Sequence, residues 1–476
     1  RWVAVRGRRE GSVFTQTVRA EPPSTPQTLD VAWCAYPSPG LQIRGRIAPF
    51  RFARRFNGLD AVAAWARTDF DAILGNAQRW KEIVESGPVG QSVHQLMALT
   101  LHSWLINTWW VNPDHREWFS VWEGNCYLQS TVDVEYTQSP FYLAVWPELL
   151  GYELDAWPDY SKEGTRTLGE AGRDTLFLSH DMGSGHHADG QAYTHEMEVE
   201  ETANYLILSY AYWRRSGDDS KLQKHADTLA RYLAFLAACD STGNGVPDRG
   251  VANTIDDASP AVQFGREQTY LAVKTLAAFQ TGAVIFRHLG QPGPIRLCRR
   301  QARRLLKTLR DKGWVGDHFA VLLDPRGENL VDPWTHKTVS FDAVPGWDAE
   351  HIYTVNGIVP LDMVGFRIGL DERRIRQDLA VATARCLREY GCIHSNYECA
   401  ATVQGEGVAG LFGTAVSPGW IAMNLLRDIG AFYRGLDFRH LADRYWNWQT
   451  TTNSREPKIF FETFCGNNLC FYPRGL

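Results

Sequence analysis

From Leu59 onward, apolar residues recur at three- and four-residue spacing through most of the chain, the period of an amphipathic or buried α-helix. The clearest runs cover 59–85 (LDAVAAWARTDFDAILGNAQRWKEIVE, with Asp60 near its start), 92–110, 139–157, 200–217, 220–240, 265–290, 293–313, 371–391 and 417–435. Together with weaker segments they predict about ten to twelve helices. Several are apolar on more than one face, as in an inner ring of helices enclosed by an outer one. They do not resemble one another closely enough to form a repeat array. The opening residues follow another rule. Short apolar runs broken by Pro and Gly, VAWCAYPSPG and then LQIRGRIAPFRFARRF, predict strands and turns. The fold class expected is mainly α, with a β-rich segment over 1–55 ahead of a helical body over 56–476.

Composition narrows what such a body does. With 44% apolar and 22% charged residues the 476-residue chain is an ordinary globular protein. Its formal charge of -5 argues against a nucleic-acid partner, which would need a basic surface. No stretch reads as a membrane span. The 18 Trp and 18 Tyr carry more information. Apolar ring faces pack on the C–H faces of sugars while N–H and O–H groups serve hydroxyls. The cysteines (Cys34, Cys126, Cys239, Cys298, Cys386, Cys392, Cys399, Cys465 and Cys470) are odd in number and lack CxxC pairing, so most are expected to be buried thiols. A start at Arg1 rather than Met suggests a trimmed chain and leaves the compartment unread.

Three polar segments could carry chemistry. In VWEGNCYLQSTVDVEY, Glu123, Asp133 and Glu135 lie among aromatics, and Gly124 permits a sharp turn that presents Glu123. The alternative is that these are solvated loop charges or a helix cap. In LFLSHDMGSGHHADGQAYTHEMEVEETANY, histidines and acids crowd together without HExxH spacing, so hydroxyl ligation fits better than a catalytic metal. There Glu200 and Asn204 sit four apart, on one helix face.

The third segment, DSTGNGVPDRGVANTIDDASPAVQFGREQTY, offers alternate-position oxygens like those of a calcium loop. The candidate set is Asp240, Thr242, Asn244, Val246 and Asp248. Val251 stands where such loops have a bidentate Glu, and an ordinary Asx turn is the competing reading. Its second half supplies Asp256 and Asp257. A structural Ca²⁺ is the one ion expected, and no organic cofactor is expected.

These segments, in this order, resemble the toroidal glycoside hydrolases of families 52 (β-xylosidases) and 116 (β-glucosidases, including non-lysosomal glucosylceramidases). The likeness runs through WEGNCYLQSTVDV, SHDMG, NTIDD and the terminal LCFYPRGL. It implies an (α/α)6 toroid, an N-terminal β-sandwich of which residues 1–55 would be the tail, and a glycoside as small-molecule or oligosaccharide substrate. By the same resemblance Glu123 is the nucleophile and Asp256 the acid/base. Asp133, His180, Asp181 and Arg474 would bind sugar hydroxyls, with Glu200 beside them. Asn125 and Ile255 depart from the family pattern, which bears on the sugar more than on the reaction. TVDVEYTQSP, PELL, SHDMGSG and EVEETANYLILSYAY are also similar to the secreted glutaminase-A-like proteins, which would make the reaction an amide hydrolysis.

Overall fold

The structure is a computed structural model and describes residues 32–37, 40–251, 254, 260–331, 338–397, 418–452 and 463–465. The predicted site residues Asp256 and Arg474, and much of the predicted β-rich segment, lie outside the described residues. What is described is mainly helical with several small sheets. Strands β1 (Leu41–Ile43) and β2 (Arg46–Ala48) form an antiparallel pair across a turn at Arg44 and Gly45, both at positive φ. Strand β1 also pairs in parallel with the two-residue strand His187–Ala188, which ties this segment to the His-rich loop.

The helical body starts where the periodicity does, at Leu59, but the run to Glu85 breaks at Asp69 into α1 (Leu59–Thr68) and α2 (Phe70–Glu85). Helix α3 (Gln91–Asn107) stops short of the predicted Trp110. Thr-Trp-Trp-Val, β-branched and aromatic, prefers a pleated surface. It forms β3 (Thr108–Val111), antiparallel to β4 (Trp118–Val121) from Thr108↔Val121 to Val111↔Trp118. Helix α4 (Val132–Val145) begins earlier than the predicted Ser139 and carries Pro140 within it. Trp146 leaves the helical region at φ -146° and ψ 67° ahead of Pro147, and α5 (Pro147–Ala156) starts on that proline.

After the short α6 (Thr165–Leu168) comes α7 (Glu198–Ser216), ended by Gly217 at φ 76°. Helices α8 (Ser220–Lys224) and α9 (Ala226–Ala238) meet at His225. Then follow α10 (Pro260–Phe264), α11 (Thr269–His288), α12 (Pro292–Lys312), α13 (Val359–Met363) and α14 (Glu372–Cys386). The last helices described are α15 (Ile421–Phe432) and α16 (Ala442–Thr452).

Helices α7 and α11 are buried along most of their lengths, which makes them the centre of the packing. Helix α11 lies against α7, α9 and α12, and α7 also lies against α4 and α5. By length and hydropathy α11 could cross a membrane, yet here it is enclosed by other helices. Helix α12 shows the opposite pattern, with Cys298, Leu305 and Leu309 turned inward and its arginines on the other face. Helix α5 approaches α7 at Gly151, where a Cβ would meet the Tyr212 hydroxyl oxygen at 2.8 Å. Near the two ends of the described chain, α3 packs on α16.

Candidate active site

The site is assembled where β4 runs out and α4 begins. After β4, Glu123 takes φ -71° and ψ 60°, and Gly124 follows at φ 41°. A tight turn then brings the chain back, with Cys126 N donating to the Glu123 carbonyl at 3.0 Å and Glu123 N to the Leu128 carbonyl at 2.9 Å. The glycine thus makes the turn that the Glu-Gly pair predicts. The Glu123 side chain is only 3% exposed and points toward α4. There Thr131, at the N-cap of α4, donates its hydroxyl to Glu123 Oε2 at 2.6 Å. Threonine hydroxyls at that position usually cap their own helix. This one makes no cap bond, and the first turn of α4 is served from elsewhere: Val132 N donates to the His180 carbonyl at 2.9 Å.

That bond docks the helix start onto the SHDMG segment. Asp133, in the first turn of α4, accepts Val134 N at 2.8 Å, a favourable place for a carboxylate at a helix N-terminus. Asp181 is fully buried. Its Oδ1 accepts Gly183 N and Ala192 N at 2.9 and 2.8 Å, and its Oδ2 accepts Tyr193 N at 3.1 Å and meets His180 Nδ1 at 3.0 Å. With both oxygens engaged by the chain itself, Asp181 orients His180 rather than facing a ligand. The His180 ring also stacks on Tyr193, centroids 4.2 Å apart. Burial disfavours its charge, but the Asp181 hydrogen bond and the charges of Asp133, Asp181 and Glu123 outweigh that and raise it above the ordinary imidazole range. Glu123, Asp133, His180 and Asp181 therefore lie close to one another.

Glu200 lies deeper. It accepts Tyr270 Oη at 2.6 Å and Lys274 Nζ at 2.9 Å, and Lys274 also donates to Asn204 Oδ1 at 2.7 Å. The lysine ammonium lies over the rings of Tyr136 and Tyr270, 4.2 and 4.6 Å from their centroids. The α7 acid that reaches Asp133 and His180 is the next one, Glu201, with ligating atoms of all three within 4.8 Å of one another. Behind Glu123, Glu135 and Glu153 form a buried carboxyl pair held by Tyr142 (2.9 Å to Glu135 Oε2) and Ser130 (3.0 Å to Glu153 Oε1). Burial pushes Glu135 up to about 8, with the Glu123 charge adding to the effect, while its hydrogen bonds with Tyr142, Glu153 and Ser130 act the other way.

In the sequence Glu201 is one of several acids crowded into a single segment, and Glu153 and Lys274 belong to no motif. A lone lysine inside the apolar run TYLAVKTLAAF was the one visible signal among them, since a charge is rarely fully buried unpaired.

The residues of the expected calcium set lie in the loop after α9, which is held by its own hydrogen bonds. Asp240 accepts Gly243 N at 2.7 Å and Gly245 N at 2.9 Å, and Asn244 Oδ1 accepts Val246 N at 2.8 Å. Asp248 accepts Ser241 N at 2.6 Å. These are Asx-turn bonds, and carboxylates retain further lone pairs for a cation. The acid lacking at Val251 arrives from α11's approach instead: Glu267 Oε1 accepts Asn244 Nδ2 at 2.7 Å, while its buried Oε2 has no partner among the described residues. Among the described residues, Asp240, Asp248 and Glu267 do not form a cluster of three acids with ligand atoms within 4.8 Å of one another.

Two cavities, of about 780 and 1010 Å³, open beside Phe50 and Arg54, and none of the predicted site residues that are described lines either. The first is walled by Phe50, Trp109, Trp110 and Trp122 with Arg51 and Arg54.

The sequence matches the model of glycosyl hydrolase family 52 over residues 11–207 and that of the glutaminase A six helical-hairpin domain over 119–344. Glu123, Asp133, His180, Asp181 and Glu200 fall within both. Among curated proteins, a β-xylosidase of Geobacillus stearothermophilus is 23% identical over 351 residues, 66% of this chain and 49% of the xylosidase. A glutaminase A of Aspergillus oryzae is 25% identical over 167 residues, 34% of this chain and 22% of that protein. The chain spans about half or less of the curated relatives it matches. The resemblance to family 52 read from the motifs is thereby shown, with a weaker likeness to glutaminase A.

Proposed function

We propose that this protein is a retaining, exo-acting β-glycosidase of β-xylosidase or β-glucosidase type, working by double displacement in an (α/α)6 toroid. Glu123 attacks the anomeric carbon while Asp256, protonated, donates to the leaving oxygen. Asp256 then deprotonates the water that releases the glycosyl-enzyme. The observation that carries this reading is the setting of Glu123: a nearly buried carboxylate, aimed by Thr131, with Asp133 and His180 beside it, inside the stretch that matches family 52. Asp133 and His180 hold hydroxyls of the sugar, Asp181 fixes the His180 ring, and Arg474 adds a charged contact from the C-terminal segment. Lys274 keeps Glu200 in place one layer back. The packing of α3 on α16, of α4 on α7 and of α7 on α11 supports a closed ring of helices over 56–476. The loop Asp240–Asp248 would hold a structural Ca²⁺, with no organic cofactor needed.

The test compares wild type, Glu123→Ala and Asp256→Ala on nitrophenyl β-xyloside and β-glucoside, with and without azide. Sugar release by wild type, its loss in both variants, and return as α-glycosyl azide from the first and β-glycosyl azide from the second would assign both roles and name the sugar. No release of either sugar would overturn the reading.

A second reading has its own support. The helical-hairpin match to glutaminase A spans 119–344 and so covers the same site. Ammonia from glutamine without sugar release would favour it.

A further inference from the structure

The first turn of α7 carries three acids, and they serve three different partners. Glu198 accepts the Thr167 hydroxyl at 2.6 Å, Glu200 accepts Tyr270 and Lys274, and Glu201 turns toward Asp133 and His180. An oxygen of Glu201, an oxygen of Asp133 and a ring nitrogen of His180 lie within 4.8 Å of one another, and all three side chains are buried. Glu201 is wholly enclosed. Its Oε2 accepts Asn204 Nδ2 at 3.3 Å, and its Oε1 has no hydrogen-bond donor among the described residues.

Such an oxygen is costly on a carboxylate, because burial strips its water and nothing replaces it. The nearby cation does not answer it, since Lys274 donates to Glu200 and Asn204. Nor does His180 Nδ1, which Asp181 holds. On a carboxylic acid one oxygen becomes a donor, and a carboxylate oxygen of Asp133 lies within 4.8 Å of an oxygen of the Glu201 carboxyl. We propose that Glu201 is a positioning residue of the candidate site, which as a neutral acid donates a hydrogen bond to Asp133 and so fixes Asp133 and His180 for the sugar. Burial first, and then the charges of Asp133 and Glu200, hold the Glu201 carboxyl well above its usual range, against Lys274 and the Asn204 amide. The proposal rests on the glycosidase reading for what Asp133 and His180 do, but not for the contact itself.

The test uses the full chain as wild type, Glu201→Gln and Glu201→Leu. Glutamine keeps a donor for Asp133 and cannot ionise, whereas leucine fills the space without one. Three readouts are taken across about pH 5 to 9: the unfolding midpoint, the ¹⁵N shifts of the His180 imidazole, and kcat and KM on the nitrophenyl glycoside. Glu201→Gln should leave the His180 shifts and kcat near wild type, and hold its midpoint at alkaline pH where wild type declines. Glu201→Leu should move the His180 shifts and lower kcat/KM by about tenfold to a hundredfold.

Glutamine as damaging as leucine, or leucine without effect on His180 and on the kinetics, would overturn the proposal. So would a tightly bound divalent cation, Zn²⁺ or Mn²⁺, that stabilises wild type and is lost from both variants, since Asp133, His180 and Glu201 would then be ligands. If wild type hydrolyses no glycoside, the glycosidase reading fails, and the midpoint and imidazole readouts still decide the Glu201 contact.

Discussion

The Thr131 hydroxyl donates to Glu123 at 2.6 Å and leaves its own helix uncapped. An N-cap bond typically contributes about 1 kcal/mol, so giving it up is a measurable cost at this point in the fold. Thr131→Val should therefore lower stability by about 1–3 kcal/mol, through the buried Glu123 oxygen rather than a lost cap, and kcat/KM should drop by about tenfold or more as Glu123 loses the donor that aims it. Steady-state kinetics alongside urea unfolding checks this, with Thr131→Ser expected to keep most of the activity.

Lys274 is the cation of a buried acidic region, 1% exposed and paired with Glu200, which is equally enclosed. Removing one member of such a pair strands the other charge, at a cost of about 3–5 kcal/mol. Lys274→Met should lower stability by about that much, and Lys274→Met with Glu200→Gln should recover most of it, because no unpaired charge remains. Chemical unfolding of the two single variants and the double closes the cycle. Additive losses would mean that the pair contributes little.

What was readable from sequence, and what was not, divides along physical lines. The long helices α7, α11 and α12 are legible because one period persists for several turns. The start of α4 is not. Val132 to Glu135 alternates apolar and acidic residues as a strand would, and its helicity depends on the His180 carbonyl meeting Val132 N. Trp109 and Trp110 continued the apolar run of α3, and pairing with β4 made them a strand. At the site, Glu123 and its glycine turn were legible as local chemistry, as were Asp133 and His180. Glu201 was passed over for Glu200, since both open the same helix. Only the tertiary contacts of Lys274 and Tyr270 show that Glu200 faces away. Likewise Glu267 could not be joined to the Asp240 loop by spacing, because their contact spans a helical connection.

The Glu135 and Glu153 pair sets a pH dependence. Burial raises both carboxyls, Glu135 from 4.5 to about 8. The folded chain then holds a proton that the unfolded chain releases between those values, so folding is proton-coupled in that window. This contribution is fully present below about pH 4.5 and is lost as pH rises toward 8. The unfolding temperature should fall across that interval, and Glu135→Gln, which has no proton to lose, should flatten the decline. Calorimetry at a series of pH values measures it. A wild-type profile that Glu135→Gln leaves unchanged would mean that other groups set the slope.

The loop from Asp240 to Asp248 decides between a cation and a self-sufficient turn. Its own N–H groups already occupy Asp240, Asn244 and Asp248, which a plain Asx turn would explain. The buried Glu267 Oε2, which has no partner among the described residues, is what a turn alone leaves unexplained. If calcium binds, metal analysis should find about one equivalent per chain, and chelation should lower the unfolding temperature by several degrees. Glu267→Gln should weaken the calcium response, since a neutral amide replaces a charged ligand, while barely altering the chelated protein. If no metal is found and chelator changes nothing, the turn stands alone. Glu267→Gln should then stabilise the protein, because the amide keeps an acceptor for Asn244 and removes a charge whose burial, more than any neighbour, raises its carboxyl.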